Sequence, residues 1–145
     1  MKKSMIFWMF AAVLTITGLT SCSDDDDFYE KDYNYKSAIV GTWYLVYHSS
    51  GWGGITDYNV GEIIVTFTNK GEVKVVNNGI SPVSTSTYTY SFHKIPKSIF
   101  TGISATVITF NDSSSYYYIN FSNGVLYISE EAYDGSHYAL KRMPN

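Results

Sequence analysis

The chain has 145 residues, a formal net charge of −3, only 16% charged residues and 17% aromatic ones. That length is one domain's worth, and the sparse charge leaves no basic face for nucleic acid, whose binding rests on Lys and Arg neutralising phosphates. One cysteine rules out an internal disulfide, and 14 tyrosines with only three prolines favour strands over helices.

Met1 to Ser21 has the three parts of a secretory signal. Lys2 and Lys3 make the positive start, Ile6 to Leu19 is a mostly apolar run, and small Thr20 and Ser21 precede the cut. Fourteen residues rise roughly 21 Å as a helix, short of the ~30 Å hydrocarbon core, which argues against a permanent span. Removing residues 1–21 leaves 124 residues and a net charge of −5.

Leu19-Thr20-Ser21-Cys22 resembles the lipobox of bacterial lipoproteins. The resemblance implies that Cys22 is lipidated on its sulfur, becomes the new N-terminus and is then acylated. Each buried CH₂ contributes ~0.8 kcal/mol, so several chains together hold a membrane stably where one does not. The competing reading is a cleaved signal followed by an incidental cysteine. Asp24 to Asp27 are four adjacent carboxylates that repel one another and stay solvated, so residues 22–38 read as a tether. Ser23 to Asp27 also resembles the acidic export signal that sends lipoproteins to the outer face of the outer membrane. An acidic linker without an address is the alternative.

From Ile39 to Asn145 short apolar–polar alternations broken by turn residues predict an all-β domain. The predicted strands are 39–48, 62–68, 72–76, 85–92, 104–110, 115–121, 125–129 and 136–142. Tight turns fall at Asn69-Lys70-Gly71 and Ser122-Asn123-Gly124, and 93–103, with Pro96 and Gly102, is the least legible stretch. Eight strands with mostly short connections favour an antiparallel up-and-down barrel over a two-sheet sandwich.

Gly41-Thr42-Trp43 resembles the Gly-x-Trp start of lipocalin and wider calycin barrels, and the domain resembles the short lipocalin-like domains of bacterial lipoproteins. The resemblance implies that Trp43 closes one end of the barrel beneath a basic residue of the last strand. Arg142 stands in that position. The chain is shorter than a typical secreted lipocalin and has no helix after the barrel.

Candidate chemistry is thin. His48, His93 and His137 lack metal-ligand spacing, although His48 could meet His137 across the barrel seam; no metal or cofactor is expected. Neither a nucleophile elbow nor a phosphate loop appears, so no enzyme is expected. The loop Ser49 to Gly61 is long for a hairpin and carries Trp52 and Tyr58, either as a ligand gate or as a hydrophobic cap. The inner-face rings Trp43, Tyr47, Phe67, Tyr88, Tyr90, Phe92, Tyr117 and Phe121 favour a filled barrel, but one of this size can hold a small ligand. Tyr47, Tyr88 and Tyr90 beneath Trp52 and Tyr58 are the candidate ligand contacts, with hydroxyls suited to an amphipathic molecule. Tyr116 and Tyr118 face outward and could stack on sugars or simply favour strand. The expected function is non-catalytic binding of a small apolar or amphipathic ligand by a membrane-anchored domain. A protein- or glycan-interaction module with a filled barrel is the alternative.

Overall fold

The computed structural model describes residues 34–144. The export segment, Cys22 and the acidic stretch lie outside the described residues. Within them a short helix, α1 (Tyr35–Ala38), precedes β1 (Gly41–Ser50), β2 (Gly54–Asp57), β3 (Ile63–Phe67), β4 (Glu72–Asn77), β5 (Ser84–Ile95), β6 (Ala105–Phe110), β7 (Tyr117–Ser122), β8 (Val125–Glu130) and β9 (His137–Arg142). Each strand from β3 to β8 pairs antiparallel with the next, β9 returns to pair with β1, and β1 pairs with β3. The result is a closed eight-stranded antiparallel barrel with β2 as an additional strand.

β2 and β3 lie along the same edge of β1. β2 is opposite Tyr47 to Ser50, and β3 is opposite Gly41 to Tyr44. They are two halves of one wall strand, parted where residues 58–62 loop outward. The Tyr58 N–H still donates to the Val46 carbonyl at 2.9 Å, and the Glu62 carboxylate accepts from the Asn59 backbone at 3.0 Å. The long loop expected at Ser49 to Gly61 is therefore a turn at 51–53, a strand and a local outward loop. All four β2 residues are exposed, so no alternation announced the strand.

A second irregularity changes which side chains face inward. Pairing of β1 with β9 slips by one residue between Leu45 and Tyr47. Directly opposite residues share a face. Leu45 meets core residue Leu140, whereas Tyr47 meets Ala139 on the outside and His48 meets Tyr138 on the inside. One extra residue, Val46, thus inverts the remainder of the strand.

The end of the barrel that receives the chain is filled and tied. Trp43 packs on Phe121 at 6.0 Å, Tyr35 stacks on Phe121 at 6.2 Å, and Trp43 Nε1 donates to the Ile39 carbonyl at 2.8 Å. The sequence leaves Phe28 to Lys36 either as a continuation of the tether or as a segment that lays its tyrosines on the domain. Residues 34–38 belong to the same compact unit as the barrel, with Tyr35 on Phe121.

Segment 96–104 folds back over the outer face of β6 and β7. Val107 faces outward yet is 0% exposed, and the Phe100 ring stacks on its neighbour Tyr118 at 5.4 Å. Glu131, in the β8–β9 turn, pins this segment. Its carboxylate accepts from the hydroxyl of buried Ser98 and from the Ile99 N–H at 2.9 Å. Glu131→Ala should therefore destabilise the domain by about 1–3 kcal/mol, the cost of stranding those donors. Amide hydrogen exchange should quicken selectively at residues 98–103, and unchanged protection there would refute the pinning role.

Candidate functional site

Strand parity aims Val65 and Phe67 of β3, Val73 and Val75 of β4, and Tyr88 of β5 into the barrel. Together with Leu45, Ile63, Phe110, Tyr117, Ile128, Tyr138 and Leu140 they line a cavity of about 420 Å³. That volume falls within the range of small-molecule sites. The wall is graded. Leu45, Val65, Phe67, Val73, Ile128 and Leu140 are buried, whereas Ile63, Val75, Phe110, Tyr117 and Tyr138 are half-buried and Tyr88 is exposed. The cavity therefore opens away from Trp43, at the end where the turn 51–53 and the connections 78–83, 111–116 and 131–136 gather.

The rings expected to fill the barrel leave this space because they pack against one another. Phe67, Tyr90 and Phe92 stack edge-to-face along one wall at 5.3 and 5.8 Å. Trp43 and Phe121 occupy the closed end. What remains is a pocket with aliphatic depth and an aromatic mouth.

The candidate contacts separate on this geometry. Tyr88 lines the cavity. Tyr90 points inward, but its hydroxyl donates to the Thr68 carbonyl at 2.6 Å, making it part of the wall. Tyr47 is corrected to the outer face, because the Val46 bulge reverses its parity. Trp52 neither caps nor lines the cavity. It is 90% exposed on its turn, with Nε1 donating to Asp134 Oδ2 at 3.0 Å and so linking two rim loops. Tyr58 packs against the core where β2 gives way to the outward loop.

At the closed end Trp43 lies opposite Arg142, whose guanidinium carbon is 3.9 Å from the indole centroid. The same guanidinium donates to the Val40 carbonyl at 2.7 Å and the Ala38 carbonyl at 2.6 Å. Gly41 makes room for it: its φ is +128°, and a Cβ there would overlap Arg142 Nη1.

Sequence reasoning missed Phe110, Tyr138 and His48 as inward residues at the mouth. His48 was hidden by the Val46 bulge, which inverts the end of β1, whereas Tyr138 follows the plain alternation of Arg142 and Leu140 along β9, the signal that could have found it. His48 stacks on Tyr138 at 4.7 Å with its Nε2 buried and unpaired. His137, opposite Ser49, faces outward, so the meeting of the two histidines that the seam could have allowed does not occur. His93 lies outside too, within hydrogen-bond distance of Ser91 at 2.9 Å and Thr109 at 3.2 Å. Among the described residues no three His, Cys, Asp or Glu side chains gather where they could hold a metal.

Burial pushes the Tyr117 phenol above its ordinary pKa, with the charge of Glu130 and then Tyr138 adding to the rise. Tyr90 is raised by burial alone. A phenol whose folded pKa exceeds its unfolded value of 10.0 contributes stability that is fully present below that value and lost as pH rises through the folded one. Unfolding midpoints should accordingly fall above about pH 10, and Tyr117→Phe should flatten that fall. A pH profile identical to that of the parent would refute the assignment.

In comparisons with known proteins, no family model and no curated protein matches the chain.

Proposed function

We propose that the protein is an outer-membrane lipoprotein, anchored through Cys22, whose lipocalin-like barrel binds a small apolar or amphipathic molecule without catalysis. The observation that carries the reading is the open 420 Å³ cavity with its aliphatic depth and tyrosine-bearing mouth. A filled barrel would have supported an interaction module instead. Binding there rests on removing apolar surface from water, at roughly 25 cal/mol per Å².

Native mass spectrometry of the delipidated protein, purified from its own cell envelope, tests the reading. A stoichiometric small-molecule adduct is expected, while a bare barrel with a co-purifying protein would overturn it. That second outcome would favour a partner at the rim, where Trp52 is 90% and Tyr133 96% exposed. The anchor has its own test. Cys22→Ala should move the protein from the membrane fraction to the soluble one, and retention in the membrane would rule out lipidation as the attachment.

A further inference from the structure

The cavity mouth is both aromatic and acidic. Tyr88, Phe110, Tyr117 and Tyr138 present rings around it, and Phe110 meets Tyr117 edge-to-face at 5.5 Å. Glu130 lies directly opposite Tyr117 in the β7–β8 pairing, so it shares the inner face. Its carboxylate accepts the Ser136 N–H at 3.2 Å, a neutral donor that leaves its charge in place.

The surrounding connections reinforce that sign. Asp57 and Glu62 flank the outward loop, Asp112 sits in the β6–β7 turn, and Glu131 and Asp134 follow β8. No Lys or Arg lies in 51–62, 78–83, 111–116 or 130–136. The domain's bases sit elsewhere: Lys36 in α1, Lys70 in the opposite turn, Lys74 exposed on the outer face of β4 opposite Thr66 and Thr87, Lys94 and Lys97 at and beyond the end of β5, and Lys141 and Arg142 at the end of β9. Of the two histidines toward this end, His48 has its Nε2 buried beside Tyr138, and His137 faces outward.

We propose that the cavity takes a cationic amphiphile: an apolar body in the aliphatic depth, with an amine or quaternary ammonium end at the mouth. The inference rests on the cavity-binding reading and names its ligand class. A carboxylate head would meet a negative potential with no cation to pair with. An ammonium head meets the negative faces of several rings, the arrangement that recognises such groups elsewhere, and a field that concentrates cations at the opening.

The test uses the chain from residue 22 onward, made soluble by Cys22→Ala, with a neutral naphthylamine fluorophore in the cavity. Decyltrimethylammonium, decanol and decanoate, which share one chain length, are titrated as competitors below their micellar concentrations. The ammonium should displace the fluorophore at about tenfold lower concentration than decanoate, a gap that narrows with added salt. Glu130→Gln, which keeps an oxygen for the Ser136 N–H, should weaken the ammonium about threefold and leave decanol unchanged. Should that variant fold poorly, Asp112→Asn on its exposed turn should shift the ammonium in the same direction. Decanoate competing as well as the ammonium would overturn the cationic assignment while leaving the cavity reading intact. Failure of the fluorophore and all three competitors to bind would overturn both.

Discussion

Replacing Gly41 with alanine is expected to destabilise the barrel by about 3 kcal/mol, lowering its thermal midpoint by roughly 10–20 °C. Two effects converge at this residue. Its φ of +128° is a conformation that side-chain-bearing residues rarely adopt, and the new Cβ would overlap Arg142 Nη1. Displacing the guanidinium forfeits its bonds to the Val40 and Ala38 carbonyls and its seat over Trp43. Charge-assisted hydrogen bonds contribute about 1.5–3 kcal/mol each, and a cation–π contact about 0.5–2. Arg142→Ala removes the same contacts without the backbone strain. The double variant should therefore be less destabilised than the sum of the two singles. Urea titration of all four proteins decides the matter: strict additivity would mean that the glycine acts through its backbone alone.

The second large effect concerns binding. Val75 points into the cavity between Val65 on one side and Ser86 on the other. Val75→Trp should fill much of the void and weaken ligand or fluorophore binding at least about tenfold. Because the added volume enters empty space, overpacking strain should stay below its usual ~1–3 kcal/mol. Val76 points the other way, opposite Ile64 and Thr85, so Val76→Trp is the matched control and should bind as the parent does. Undiminished binding by a folded Val75→Trp protein would exclude the cavity as the site.

Much of the wall was legible from alternation alone. Ile63, Val65 and Phe67, or Tyr88, Tyr90 and Phe92, announce strands because every second residue enters the core. What alternation could not disclose were breaks in the alternation itself. Val46 is chemically unexceptional, yet as the extra residue of a bulge it exchanges Tyr47 for His48 on the inner face. β2 was hidden for the opposite reason, since a fully exposed strand has no pattern to break. The stretch 96–104 read poorly because its partner, Glu131, is more than thirty residues away. The cavity was illegible in principle, because counting inward rings does not tell whether they meet each other or the axis.

The tie between Arg142 and the backbone ahead of Gly41 also has a mechanical consequence. β1 starts and β9 ends at the same pole of the barrel, as antiparallel neighbours. Tension between the two ends would peel this seam one rung at a time, the weak direction for a sheet, and the first rung under load is the Trp43–Arg142 pair. A pull on the N-terminal end alone puts no such tension across the seam. The guanidinium clamp sits where such an opening force would act first.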